Sequence, residues 1–279
     1  METFKKPKNK KICIIANDAG GAEILKSFVH FTKSKFSYFL TGPAKKILKK
    51  NNTSSNYKKI IDESDFVVTG TSYKSLTEYN CIKYCKKKNK KVFSILDHWI
   101  NYKIRFTRKN KYLLPDKIIV CDNEAKKMAS KYFNNLIFMP NPYWKYIKKK
   151  FKNKKENNIK KYLYVSSNYN RTKKKFDDKW ILNKLIRYLK KKDESCNLLV
   201  RPHPSENKKK YNDFLSKNKI KIRIDKNKNL FYSLGKTSTV FGHNSMAMVL
   251  GKICGLRTVN INIIDQKNSI PSKYIDKFI

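Results

Sequence analysis

Two runs in the second half of the chain carry the residue types that handle phosphate. The first is Leu198-Leu199-Val200-Arg201-Pro202-His203-Pro204-Ser205-Glu206. Its apolar residues read as a short buried strand that Pro202 and Pro204 stop, because both rings fix φ and lack an N–H. An imidazole and a permanent cation then stand just past the carboxyl end of a strand, where open α/β sheets bind their ligands. A stiff loop with that pair suits a phosphate; a proline-bounded surface loop is the alternative. The second run is Ser238-Thr239-Val240-Phe241-Gly242-His243-Asn244-Ser245, followed by apolar residues to Cys254. It reads as a strand over 239–241, a turn at Gly242, and a helix over 246–254 capped by Asn244 or Ser245. Free N–H groups and the positive dipole end would face an anion there, unless the unit is only a well-capped buried helix.

The first half offers two further strand ends. Asn17-Asp18-Ala19-Gly20-Gly21-Ala22-Glu23 lets backbone approach a ligand at Gly20 and Gly21, or is a tight turn with an Asp cap. It is neither a GxGxxG nor a Walker loop. Asp97-His98-Trp99-Ile100-Asn101-Tyr102-Lys103-Ile104-Arg105 combines a carboxylate, an imidazole, aromatic faces and a guanidinium. Those groups bind sugars and acidic substituents, so Asp97, His98, Trp99 and Arg105 are candidate acceptor ligands. A core-covering loop with Trp99 and Tyr102 buried is the alternative. Asp122-Asn123-Glu124 is explained by a helix cap.

These loops need strands to hold them. Apolar runs at 11–16, 36–40, 66–69, 91–96, 117–121 and 136–139 alternate with helical patterns at 23–33, just after Thr41-Gly42-Pro43 (short and Lys-rich), 75–87 and 123–132. The rhythm restarts with strands at 162–166, 197–200, 220–224, 239–241 and 257–261 and helices at 177–191 and 206–217, leaving 269–279 as a tail. Such βαβ alternation predicts a parallel, doubly wound sheet in each half. The charged, Asn-rich stretch 151–160 reads as a linker, giving domains 1–150 and 151–279.

Two α/β halves of similar size resemble the GT-B glycosyltransferase architecture, which implies two Rossmann-like doubly wound parallel-sheet domains facing a cleft. Arg201-Pro202-His203-Pro204 resembles the His-Pro motif of bacterial sialyltransferases, polysialyltransferases, Kdo-type transferases and CDP-glycerol glycerophosphotransferases. The turn from Ser238 to Ser245 resembles the Ser/Thr-rich companion of that motif. The resemblance implies that His203 and Ser245 hold the phosphate of a CMP- or CDP-linked donor, with Arg201, His243 and Asn244 beside them. Sialyltransferases of this type carry an acidic pair followed by Gly, one acid being the general base. The nearest match here has a single Asp and an inserted Ala, which makes Asp18 the candidate base. Asp18 would deprotonate the acceptor hydroxyl while His203, Ser245 and helix N–H groups stabilise the leaving phosphate. The GT-B resemblance implies no metal, no Asp-x-Asp motif is present, and no cofactor is expected.

Composition narrows the partners. Of 65 cationic residues only seven are Arg, leaving 58 Lys within a formal charge of +44. A sequence-specific nucleic-acid reader would use more Arg for bidentate contacts. The diffuse lysine field suits an anionic membrane surface instead. No apolar run approaches the ~20 residues that span a bilayer, and 12–16 is too short for a signal-peptide core. The six cysteines show no zinc spacing and read as free thiols. The expectation is a cytoplasmic transferase, peripheral on the inner face of the membrane, taking a CMP-, CDP- or UDP-linked donor and a glycan or lipid-linked acceptor. A UDP-sugar epimerase, a basic nucleic-acid-binding protein and a non-catalytic sugar-binding scaffold are the rival readings.

Overall fold

The computed structural model describes residues 2–5, 7–50, 53–151, 161–167, 177–192, 197–204, 206–212, 214, 221–227, 229–263 and 267–279. The chain divides into two compact units, Met1–Tyr146 and Ile147–Ile279. The helix Pro142–Phe151 crosses that boundary, started by Asn141, whose Oδ1 accepts from the N–H groups of Tyr143 and Trp144. Residues 152–160, the body of the expected linker, lie outside the described residues.

The first unit holds β1 (Lys11–Ala16), β2 (Lys35–Leu40), β3 (Phe66–Thr69), β4 (Val92–Leu96), the short β5 (Thr107–Arg108) and β6 (Lys111–Tyr112), β7 (Lys117–Val120) and β8 (Leu136–Phe138). Six of them form one sheet in the order β2-β1-β3-β4-β7-β8, parallel throughout. Their near-continuous apolar runs follow from burial on both faces: only Lys11 of β1 is exposed. The strand order reverses between β1 and β3, so the loops after these strands diverge and leave a crevice at their carboxyl ends.

The second unit holds β9 (Lys161–Val165), β10 (Asn197–Arg201), β11 (Lys221–Ile224), β12 (Thr239–Gly242), β13 (Arg257–Asn260) and β14 (Lys277–Phe278). They form a parallel sheet in the order β11-β10-β9-β12-β13-β14, reversing between β9 and β12. The helix Asp178–Lys192 covers this sheet with Ile181, Leu182, Leu185, Ile186 and Leu189, one stripe at helical spacing.

Several local expectations change. The first helix starts at Ala19 rather than 23, because Ala-Gly-Gly already turns helically. A helix Tyr57–Asp62, a helical turn Tyr102–Arg105 and the β5–β6 hairpin lack a readable period and were not expected. The hairpin turns through Lys109 and Asn110, both at positive φ, as tight two-residue hairpin turns require. The expected tail is not one. Lys277 and Phe278 pair with Val259 and Asn260, closing the sheet edge, and Ile270 and Tyr274 are buried. Of the helix expected at 206–217, Lys208–Tyr211 forms a 3-10 turn, and 213 and 215–217 lie outside the described residues.

Candidate functional site

In the first unit, the loops after β1 and β2 and the helix after β3 meet at Asn17. Its N–H donates to Glu78 Oε1 (2.8 Å), its Nδ2 donates to Asp18 Oδ1 (2.6 Å), and its Oδ1 accepts from the Thr41 hydroxyl (2.8 Å). Asp18 occupies the N-cap position of the helix Ala19–His30 without making a side-chain cap bond, so its carboxylate is not spent on the helix. Gly20 lies against Asp97: a Cβ there would collide with the Asp97 carboxylate. Gly21 is buried, and its Cβ would stand 3.3 Å from the Gly70 Cα. The glycine pair thus packs loop against loop, with Gly21 buried and Gly20 exposed.

Asp97 is a half-buried carboxylate held by Arg105 Nη1 at 2.7 Å. The same nitrogen donates to the carbonyl (3.0 Å) and hydroxyl (2.9 Å) of Thr71. Arg105 is therefore a brace between the β3 and β4 loops, its Nη1 already committed, rather than an open cation awaiting an acidic acceptor. Trp99 also departs from expectation. It is buried, with its indole N–H shared between the two Asp122 oxygens at 3.1 Å, so its face is no sugar platform. Asp122 caps the helix Asn123–Ala129, as its spacing indicates. His98 Nδ1 accepts from the Trp99 N–H (2.9 Å), which puts the ring proton on Nε2. Burial, reinforced by the Arg105 charge, pushes its pKa down against the pull of Asp97.

Glu78 is the residue that sequence reasoning missed. It is 2% exposed, Oε1 takes the Asn17 N–H, and Oε2 is buried without a partner. Burial raises its pKa to about 7. The Asp18 and Asp97 charges add to that, against hydrogen bonds from backbone N–H groups. A signal existed: Glu78 is in phase with Cys81, Ile82 and Cys85, the buried stripe of the helix Thr77–Lys87. An acid in a first turn reads as dipole compensation, which hid it. The unit thus brings together three carboxyls in different states: Asp97 paired, Asp18 hydrogen-bonded and half-buried, and Glu78 poised near neutrality.

In the second unit, Ser166 after β9 joins the two phosphate-type runs. Its N–H donates to the Arg201 carbonyl (3.0 Å), and its carbonyl accepts from the Ser245 hydroxyl (3.4 Å). Both runs therefore flank the point where the strand order reverses. The His-Pro loop is clamped on either side. Arg201 pairs with the buried Asp225 and donates to the Asn227 carbonyl (3.1 Å), which makes it a fastener of its own loop. Burial alone would raise the Asp225 carboxyl, but hydrogen bonds from Ser233, Asn227 and Arg201 hold it below the usual carboxylate range. The His203 N–H donates to Glu206 Oε2 (2.8 Å), whose other oxygen pairs with Lys210. The His203 side chain is left exposed beyond this fixed backbone.

Gly242 must be Gly: a Cβ would lie 2.8 Å from the Val165 carbonyl and 2.9 Å from Met248 Sδ. Ser245 is the N-cap of the helix Met246–Ile253 and makes no side-chain cap bond. The other two candidates are built into the turn. His243 is buried, donating from Nδ1 to the Ile261 carbonyl (2.9 Å) and accepting at Nε2 from Asn244 (3.0 Å), and burial lowers its pKa. Asn244, at φ +51°, also accepts the Ser269 N–H at 2.7 Å. Its amide thus holds the turn from both sides. Among the described residues, no group of His, Cys, Asp and Glu has the arrangement to hold a metal ion.

No protein-family model matches the chain, and no curated protein sequence does. Solved structures do. The UDP-GlcNAc 2-epimerase of Methanocaldococcus jannaschii, in complex with UDP-GlcNAc and UDP, is 12% identical with a TM-score of 0.61, over 96% of this chain and 88% of that one. MurG from Acinetobacter baumannii is 9% identical with a TM-score of 0.57, over 93% and 80%. The ADP-heptose lps heptosyltransferase II of E. coli is 9% identical with a TM-score of 0.51, over 96% and 89%. The protein therefore has the two-domain α/β fold of the GT-B type. Proteins of that fold among its structural neighbours divide between sugar-nucleotide epimerases and glycosyltransferases.

Proposed function

We propose that the protein transfers a sugar, or a polyol phosphate, from a CMP-, CDP- or UDP-linked donor to a glycan or lipid-linked acceptor at the inner face of a membrane. The observation that carries this reading is the meeting of the His203 loop and the Ser245 helix start on either side of Ser166, at the switch point of the second sheet. A stiff exposed imidazole and a helix N-terminus there are matched to a leaving phosphate. In this reading the second unit holds the donor, with His203 and Ser245 touching phosphate and Arg201, His243 and Asn244 fixing the loops behind them. The first unit faces the acceptor, and Asp18 takes the proton from its hydroxyl. Asp97 and His98 are further polar groups on that side.

Thermal-shift titration with CMP, CDP, UDP and GDP tests the donor half. One of them should stabilise the protein, by about 2.7 kcal/mol at a hundred times its Kd. His203→Ala should lose most of that shift while its unliganded Tm stays put, since the side chain is exposed. Unchanged nucleotide binding in a folded His203→Ala protein would remove the donor site from this loop. Epimerisation of a UDP-sugar is supported equally by the fold shared with UDP-GlcNAc 2-epimerases. It is separated by its product: an epimerase converts the donor with no acceptor present.

A further inference from the structure

We infer that the β3 loop, the segment between β4 and β7 and the turn before β8 form a docking face that seats the first unit on an anionic bilayer. This deepens the membrane-proximal part of the reading above and rests on it. The described residues of the first unit expose six large apolar or aromatic side chains: Tyr73, Leu76, Ile100, Ile104, Tyr112 and Tyr132, each between 36% and 52% exposed. All six lie in the β3 loop, the β4 loop, the β5–β6 hairpin and the turn before β8. Scattered exposed hydrophobics are ordinary; their confinement to one set of loops is not.

Direct contacts make these loops one surface. Arg108, on the hairpin, donates to the Ser72 and Ser75 carbonyls of the β3 loop and to the Ile104 carbonyl of the β4 loop. The Tyr79 hydroxyl donates to the Lys111 carbonyl (3.4 Å) at the hairpin's far strand. Lys103 Nζ stands 5.7 Å from the centre of the Tyr132 ring, which lies 5.9 Å from that of Tyr102. The surface is basic: residues 71–76, 98–112 and 130–134 contain no Asp or Glu, and Lys74, Lys103, Lys109, Lys111 and Lys131 are exposed on them.

Aliphatic tips, tyrosine rings and long lysines suit the headgroup boundary. There apolar atoms leave water, phenol hydroxyls stay wet and ammonium groups reach lipid phosphates. A second copy of the chain fits poorly, because it would set one lysine-rich face against another in a protein of charge +44. Single-stranded RNA could stack on Tyr73, Tyr112 and Tyr132 but has no use for Leu76, Ile100 and Ile104, so the aliphatic tips favour the bilayer.

The test is flotation of the full-length protein with vesicles of phosphatidylcholine, alone or with about one third phosphatidylglycerol, at about 0.15 M salt. Binding should require the anionic lipid. Leu76→Ser combined with Ile104→Ser removes no charge, and it should weaken partitioning about tenfold or more. Replacing Lys103, Lys109 and Lys111 by Ala should weaken it comparably, whereas the same change at Lys190, Lys191 and Lys192, on a helix of the second unit, should cost less than about threefold. Circular dichroism checks that each variant is folded. Wild-type partitioning by the Leu76–Ile104 variant overturns the assignment, as does an equal loss from both lysine triples, which means diffuse attraction. Absence of vesicle binding, with RNA capture or self-association abolished by the Leu76–Ile104 pair, overturns it in favour of that other occupant. No nucleotide or acceptor enters the assay, so its failure and the failure of the transfer reading are separately visible.

Discussion

At residue 78 the chain places a carboxyl on the buried stripe of a helix, and this has a consequence for stability. An acid whose pKa is 4.5 when unfolded and about 7 when folded binds its proton more tightly in the native state. Its contribution is therefore fully present below about pH 4.5 and is lost as pH rises to about 7. The loss is on the order of 3 kcal/mol. Glu78→Gln keeps an acceptor for the Asn17 N–H and cannot ionise. Its Tm should match the parent near pH 4.5 and exceed it at pH 8. A parent-like fall in Tm between those values would show that Glu78 is not the titrating group. Asp18 yields a complementary prediction. Asp18→Asn retains an oxygen for the Asn17 amide and loses the basic electron pair, so turnover should fall about 10²–10⁴-fold with donor affinity unchanged. Equal losses in both would make Asp18 a loop fastener rather than a base.

The element most tightly specified by its neighbours is the β12 turn. Gly242 is pressed between the Val165 carbonyl and Met248, and Asn244 ties the turn to Ser269. Gly242→Ala must shift backbone rather than a flexible side chain, so it should cost about 1–3 kcal/mol in chemical denaturation and weaken nucleotide binding by displacing Ser245. The long helix Asp178–Lys192 makes a different prediction. Leu185 is wholly buried against the second core. Leu185→Ala should cost about 2–5 kcal/mol in chemical denaturation, because it empties core volume. A Leu185→Ala protein of unchanged stability would mean that the core closes over the gap.

For the whole molecule, the charge decides more about company than about fold. With 58 Lys and seven Arg the surface is a field of point charges. RNA binding should be measurable at low salt, fall steeply toward about 0.15 M, and show no preference among sequences. Filter binding across a salt series checks this, and selective binding at the upper end would favour a nucleic-acid role instead. Among the described residues no helix is long and apolar enough to cross a membrane.

Local signals in the sequence determined the alternation of strand and helix, the two halves, the switch from apolar strand to polar loop at Asp18, Asp97, Arg201 and His243, and the Asp122 cap. Periodicity, proline and cap residues act over a few positions and can be read without the rest of the chain. Tertiary structure decided what each polar group does once the loops meet. Asn17 and Glu78 are 61 positions apart, and Ser166 and Ser245 are 79 apart. No local pattern pairs such residues, because strand order sets which loops become neighbours. That is why Trp99 proved to be a buried donor to Asp122, Arg105 a brace on Thr71 and Asp97, and Asn244 a tether for Ser269. It is also why the last residues form a strand rather than a tail: β13 presents an edge of unpaired backbone groups, and only the folded sheet brings Lys277 and Phe278 to it.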